Sequence, residues 1–320
     1  MAPGRYPFPA SPDGWFGVAE SAELAAGEVR PLHYLGRDLV LFRGEDGEAR
    51  VFDAHCPHLG AHLGHGGRVC GDGVVCPFHG WRFHGDGSVA EVPGSDRIPR
   101  ARARAWRVCE ANGLVYVWHH AGGAEPGFEV IRYREDDSEW TPWRSQVYRV
   151  RVHVQDLTEN ILDRAHFGAV HDMEKAEREI FEVSFAGPSM VVDQAMKVTA
   201  MSDDGVEVRA RTTTCGPGIA AIEVRQGPLE MLTYIAQTPV DDETTEVNLR
   251  FSMKRLADAQ ATESVCAIND RVTNEQFLQD VPIWENKIYQ EHPALTPADG
   301  PVARYRQWFR QFYSDQGRRV

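Results

Sequence analysis

Two short strings, Cys56-Pro-His58 and Cys76-Pro-Phe-His79, constrain this chain more than anything else in it. Seventeen residues separate His58 from Cys76, and each string sits in a loop rich in glycine and proline. Thiolates and imidazoles at such spacing indicate a metal site. Two loops that each give one sulfur and one nitrogen fit a two-iron cluster, with two cysteines on one iron and two histidines on the other. Neutral imidazoles in place of thiolates leave the cluster less negative and raise its potential. The competing arrangement is a zinc site with two cysteines and two histidines. A zinc finger, however, orders its ligands Cys-Cys then His-His ahead of a helix, whereas here each half contributes one of each and the flanks read as strands. Pro57, Pro77, Gly60 and Gly80 permit the tight turns that bring backbone N–H groups toward the sulfurs. His55, His62, His65 and His84 fall outside the paired spacing and read as exposed loop residues.

The chain is 320 residues long, enough for two domains, and its 42% hydrophobic and 25% charged residues are those of a soluble globular protein. A formal net charge of −13 argues against nucleic acid, which needs a basic face, and suits a redox partner with a basic docking patch. The start, MAPGRYPFPASPDGWFG, lacks the pattern of a signal peptide. No apolar run approaches the roughly 20 residues of a membrane span. Six cysteines in such a chain make no disulfide framework, so a reducing, cytoplasmic setting is expected. Cys70, Cys109, Cys215 and Cys266 read as small buried hydrophobes.

Residues 33–54 read as short strands around Gly/Asp-rich turns, a hairpin pattern. Strand and turn patterns continue through LVYVWHH, so residues 1–120 are expected to form a small all-β domain that carries the cluster. AGGAEPGFE (121–129) reads as a linker into a second domain, residues 121–320. There SQVYRVRVHVQ alternates as a strand and TENILDRAHFGAVHDMEKAE takes helical spacing. Five strand-like runs follow, AIEVRQGPLEMLTYIAQTPV among them. The last clear element is a helix over 258–290, with Val265, Ile268, Val272, Phe277, Val281 and Ile288 near helical period. Strands followed by a long helix make an α+β domain.

The second domain holds its own constellation. In ENILDRAHFGAVHD, Asp163 and His166 share one helix face, and His171 lies five residues on, past Gly168, where a break in the helix would let both imidazoles converge on one metal. Two histidines and one carboxylate form the facial triad of non-haem Fe(II) oxygenases, with open positions for O₂ and substrate. The carboxylate must come from elsewhere: Asp280 in NEQFLQDVPIWENK is the best placed, with Glu275 and Glu285 as competitors. Asp163 itself suits an outer role, since a ligating imidazole wants a carboxylate or carbonyl on its other nitrogen.

With both motifs present, the sequence resembles the Rieske non-haem iron oxygenases, in their terminal oxygenase α-subunit, over nearly its whole length. The string from Asn160 to His171, N-x-x-D-x-x-H-x-x-x-x-H, and the cluster motif carry the resemblance. The tail QDVPIWENK and the loop DAHCPHLGAHLGHGGRV resemble the branch of 3-ketosteroid 9α-hydroxylases and cholesterol 7-desaturases. The resemblance implies a helix-grip catalytic domain of the Bet v 1/START type behind the all-β Rieske domain. It also implies a head-to-tail homotrimer, in which Asp163 bridges one subunit's cluster histidine to the next subunit's His166.

The activity this implies is O₂-dependent hydroxylation or desaturation of a small hydrophobic, polycyclic substrate, steroid- or sterol-like or a natural product. Electrons would come from a separate reductase, with or without a ferredoxin. No Gly-rich dinucleotide fingerprint follows a strand, so NAD(P)H and flavin belong to that partner. Pocket candidates are Phe167, Met173, Ile180, Phe181, Met231, Tyr234, Phe277 and Trp284. Arg149, Arg151, Arg225 and Arg250 are the possible anchors for an acidic substrate. Two alternatives stay open: an O-demethylase acting on an aromatic substrate, and an electron carrier without oxygenase activity.

Overall fold

The computed structural model describes residues 5–133, 138–163, 165–171, 176–198, 206–296 and 299–314. The chain divides into two compact units. One is Trp15–His119 with Glu129–Glu135; the other is Met1–Gly14, His120–Phe128 and Asp136–Val320.

The first unit is built of short antiparallel strands. One sheet orders β1 (Gly14–Glu20), β10 (Leu114–His119) and β9 (Val108–Ala111); a second orders β2 (Val29–Tyr34), β3 (Arg37–Arg43) and β4 (Ala49–Asp53). The third runs β5 (Arg68–Cys70), β6 (Gly73–Val75), β7 (Arg82–Phe83) and β8 (Val89–Glu91). Val40, Phe42, Phe52, Leu63, Val74 and Phe83 bury themselves together with Cys56 and Cys76, so the two cysteine–histidine loops are rooted in the core. Residues 129–135 return to this unit because the Asn112 amide donates to the Ile131 carbonyl at 2.8 Å and accepts from the Tyr133 N–H at 2.6 Å.

In the second unit a seven-stranded antiparallel sheet runs in the order β11 (Arg144–Val150), β17 (Thr245–Met253), β16 (Leu229–Pro239), β15 (Ile219–Gln226), β14 (Val206–Cys215), β13 (Ser189–Val198) and β12 (Ala176–Ala186). Helices α1 (Val154–Asn160) and α2 (Ala165–His171) follow β11, and α3 (Ala259–Asn286) follows the last strand. Sheet plus long helix is the expected α+β architecture. The run expected over 221–240 falls on two strands, β15 and β16, because Gly227 at φ +55° turns the chain between them.

The Asp258 carboxylate caps α3 by accepting from the Gln260 N–H at 2.9 Å. Phe277 and Trp284 of that helix pack with Val150, Val152, Leu157, Val247 and Leu249, each aromatic contributing about 2–3 kcal/mol by burial. The apolar stripe read from periodicity does not face the sheet as a whole: Ile268 is 55% exposed and Val272 36%, and Ile288 lies beyond the helix at 64%. The buried face is instead Thr262, Cys266, Phe277, Asp280 and Trp284. The helix turns a partly polar side inward because a cavity, rather than a solid core, lies between it and the sheet there, and Asp280 faces that cavity.

A further helix, α4 (Val302–Phe309), was not legible, and its Tyr305 and Phe309 are fully buried against Val154, Leu162 and Val192. The N-terminal segment joins this unit through Phe8, whose ring lies 4.6 Å from His153, 4.9 Å from Tyr289 and 5.6 Å from Tyr313. Cys215 and Cys266 are buried as expected; Cys70 and Cys109 are half-buried, their sulfurs facing the Arg82 and Arg132 guanidinium groups. Among the described residues, no helix is long and apolar enough to cross a membrane.

Candidate metal centres

The two cysteine–histidine loops close in the same way. The Cys56 N–H donates to the Ala61 carbonyl at 2.8 Å, and Gly60 N–H donates back to the Cys56 carbonyl at 2.9 Å. In the second loop Cys76 donates to Trp81 at 2.8 Å and Gly80 to Cys76 at 3.1 Å. Each turn passes through a glycine in the left-handed region, Gly60 at φ +77° and Gly80 at +72°, which a residue with a Cβ adopts only under strain.

Both cysteines are buried at 3% exposure, whereas His58 and His79 are exposed with ring centroids 4.7 Å apart. Trp81 lies flat on His58, 4.4 Å away and 8° from parallel. Burial pushes the Cys56 thiol up to about 11, against the opposing pull of the His58 and Leu59 backbone N–H groups and with Cys76 beside it. Such thiols become thiolates when a metal binds them, with the N–H groups in place to share the charge. Buried sulfurs, inward N–H groups and an outer pair of imidazoles fit a [2Fe–2S] group held asymmetrically, sulfur side in and histidine side out. His55, His65 and His84 are exposed as expected; His62 is half-buried, its Nδ1 accepting from the Gly64 N–H at 3.0 Å.

In the second unit His166, His171 and Asp280 offer one ligand atom each within 4.8 Å of one another. Both histidines lie on the single short helix α2, which runs through Gly168 unbroken. The bend comes before it, between α1 and α2, and brings Asn160 back to the site. The Asn160 amide Nδ2 stands 3.2 Å from His166 Nε2 and donates to Asp280 Oδ2 at 3.2 Å. His171 Nε2 lies 3.4 Å from the same carboxylate oxygen.

Asp163 precedes the helix rather than sharing its face with His166. Its Oδ1 accepts the N–H groups of Ala165 and His166 at 3.0 and 3.3 Å, a helix N-cap. Its backbone carbonyl accepts from His166 Nδ1 at 2.7 Å, and its Oδ2 lies 4.0 Å from that ring nitrogen. Burial lowers the pKa of His166 and raises that of Asp280, each opposed by the other's charge. A divalent cation among the three would supply the missing positive charge, so the donor set fits a mononuclear metal. Glu275, by contrast, pairs with Arg271 on the exposed side of α3.

These groups open onto a cavity of about 330 Å³ between α1, α3 and the sheet, within the size range of small-molecule sites. Leu157, Ile222, Ile235, Leu249, Phe277 and Trp284 give it apolar walls. Thr212, Thr233, Gln194 and Gln237 add polar points. Of the pocket candidates, Phe277 and Trp284 line it. Met231 packs with Phe251 and Met253, and Tyr234 is fully buried on the opposite sheet face beside Trp143. Phe181 packs in the α4 core and Ile180 is 39% exposed. Met173 and the side chain of Phe167 lie outside the described residues.

None of the four arginines lines this cavity. Arg149 and Arg151 pair with Glu246 and Glu243, Arg225 lies 3.8 Å from Glu230, and Arg250 is buried over Trp143. Gln279, whose Oε1 lies 2.8 Å from His171 Nδ1, was not foreseen, although it directly precedes Asp280.

The comparisons agree with the two centres. Residues 14–102 match the family of the Rieske [2Fe-2S] domain, and residues 117–313 match that of the 3-ketosteroid 9alpha-hydroxylase C-terminal domain. The chain is 34% identical over 331 residues to the cholesterol 7-desaturase nvd of Bombyx mori, covering 96% of this chain and 70% of that protein. It is 31% identical over 318 residues to the 3-ketosteroid-9-alpha-monooxygenase oxygenase component of Rhodococcus rhodochrous, covering 94% and 84%. Two solved structures share the fold. Pseudomonas putida CBB5 NdmA with caffeine has a TM-score of 0.75 at 22% identity, covering 92% and 89% of the two chains. Dicamba monooxygenase bound to dicamba has a TM-score of 0.75 at 18%, covering 94% and 96%.

Proposed function

Because the chain belongs to the Rieske oxygenases with a catalytic half of the 3-ketosteroid 9α-hydroxylase type, we propose that it hydroxylates or desaturates a neutral, polycyclic substrate of steroid or sterol kind. As a terminal oxygenase component it carries a [2Fe–2S] cluster and a mononuclear iron, uses O₂, and takes electrons from a separate reductase. In our reading Cys56, His58, Cys76 and His79 hold the cluster, and His166, His171 and Asp280 hold the iron. The observation that carries the reading is the meeting of those last three side chains at the wall of an apolar cavity.

Bound there, the iron supplies activation of O₂ toward an unactivated C–H bond, with electrons delivered through the cluster. The protein's own part is to hold substrate and exclude water. Phe277 and Trp284 on one side, and Ile222, Ile235 and Leu249 on the other, offer flat apolar contact to a ring system. No arginine or lysine lines the cavity among the described residues, which favours a neutral steroid over an aromatic acid. The His58–His79 edge is exposed and flanked by Leu59 at 65% and Phe78 at 62% exposure, a surface suited to docking. We assign it to a neighbouring subunit in a head-to-tail homotrimer, where Asp163 would receive electrons from a cluster histidine. Free cysteines throughout the described chain accord with a cytoplasmic setting.

Iron analysis of the purified protein tests the two-centre reading, with three iron atoms per chain expected and two indicating an electron carrier. Incubation with reductase, O₂ and either 4-androstene-3,17-dione or cholesterol should give a product 16 mass units heavier or 2 lighter. Three irons without either product, but with loss of 14 mass units from an aryl methyl ether, would establish the demethylase instead.

A further inference from the structure

A histidine that ligates through Nε2 must carry its proton on Nδ1, and an acceptor held against Nδ1 fixes both the tautomer and the plane of the ring. The two histidines of the mononuclear site obtain that acceptor differently. His166 has the backbone carbonyl of Asp163 at 2.7 Å, which no substitution removes. His171 has a side chain from a distant helix, with Gln279 Oε1 2.8 Å from its Nδ1. We propose that Gln279 is the positioning residue of His171. It fixes the tautomer that presents Nε2 toward Asp280 and so sets the metal affinity of the site.

Three features support this. Gln279 and Asp280 are consecutive on α3, so one rigid helix delivers both the third ligand and the group that aims the second. Adjacent helical residues point about 100° apart: Asp280 is buried toward the cavity, while Gln279 stays on the exposed side and reaches the outer edge of the imidazole. The His171 side chain is 4% exposed although it stands near the surface, so the amide takes the place that water would otherwise have at Nδ1. The amide orientation matches that tautomer. With Nδ1 a donor, its partner must be the carbonyl oxygen of the amide and not its NH₂.

The inference rests on the reading of His166, His171 and Asp280 as ligands, and its test separates the two. Full-length, cluster-loaded protein is depleted of mononuclear metal, and Co(II) affinity is measured by competition with a chromophoric chelator alongside the visible Co(II) spectrum. Gln279→Leu should weaken Co(II) binding about 10- to 100-fold and change the spectrum, with the cluster absorption unaltered. Gln279→Glu, which restores an acceptor, should recover wild-type affinity or exceed it. Equal affinity and identical spectra for Gln279→Leu and wild type would overturn the proposal. So would equal weakening by Leu and Glu, since that would trace the effect to α3 packing. Asp280→Ala is the control: if it leaves Co(II) affinity unchanged, the ligand reading falls and the role of Gln279 with it.

Discussion

The indole of Trp81 lies flat against the imidazole of His58, 4.4 Å away and 8° from parallel, on the exposed side of the cluster loops. The same residue closes the other loop, since its backbone carbonyl accepts from the Cys76 N–H. Trp81 therefore braces a histidine of one loop while its main chain shapes the next. An aromatic pair of this kind contributes about 0.5–1.5 kcal/mol beyond simple burial, or roughly 2- to 10-fold in the rate at which His58 releases. Trp81→Leu should bleach the cluster faster by that factor in air, followed by visible absorbance. An unchanged half-life would mean that the stacking is incidental.

Asp163 caps a helix, and the proposed bridging role can be separated from that cap. Its Oδ1 caps α2 and its charge is what the proposed electron bridge requires. Asparagine caps helices as well as aspartate does, and alanine loses about 1 kcal/mol. Asp163→Asn should thus keep the stability and metal content of wild type yet fail to reoxidise its reduced cluster when substrate and O₂ are added, in a stopped-flow experiment. Asp163→Ala should show the same kinetic defect with the added loss of stability. Normal reoxidation in the Asn variant would remove the bridging role and leave a helix cap.

What the sequence allowed one to read was local. The proposed cluster ligands stand in two strings of three and four residues, so their chemistry can be read without the fold. His166 and His171 share seven residues of α2, and Asp280 was legible because a carboxylate was needed and α3 offered few. The roles of Asn160 and Gln279 were not legible, because each depends on where a loop or helix more than a hundred residues away comes to rest. The cavity wall was hidden for a different reason. Thr212, Thr233 and Gln237 face the same cavity as Ile222 and Ile235, so alternation of polar and apolar residues does not report it. Ile268 and Val272 look like core by spacing yet face outward, and α4 was hidden because Arg304 and Arg306 flank Tyr305 and break up its apolar pattern.

Asp156 is 1% exposed and neither carboxylate oxygen has a hydrogen-bond partner among the described residues. Its compensation is Lys287 Nζ at 3.4 Å, just past the end of α3. The nearby Tyr6 hydroxyl is pushed up to about 12 by burial and then by the Asp156 charge. A buried carboxylate stripped of its cation is costly, so Lys287→Met should destabilise the protein by about 3 kcal/mol at neutral pH. The double variant Asp156→Asn/Lys287→Met should recover most of that loss, because no charge is then left unpaired. Denaturant unfolding of the three proteins decides the matter, and additive single effects would sink the pairing.

His153 gives the protein a pH dependence unrelated to either metal centre. Both ring nitrogens are committed to the neutral form: Nδ1 accepts from the Gln155 N–H at 3.0 Å, capping α1, and Nε2 donates to the Pro9 carbonyl at 3.1 Å. Burial lowers its pKa to about 4 from an ordinary 6.5. Between those values the unfolded chain binds a proton that the folded one refuses, so stability rises with pH there. The contribution is full above about pH 6.5 and is lost as pH falls toward 4, on the order of 3 kcal/mol in all and about 2 kcal/mol by pH 5. Asparagine at this position keeps the cap without titrating. Unfolding free energies at pH 7.5 and 5.0 should therefore fall about 2 kcal/mol further for wild type than for His153→Asn. Equal losses in the two proteins would show that other groups carry the acid sensitivity.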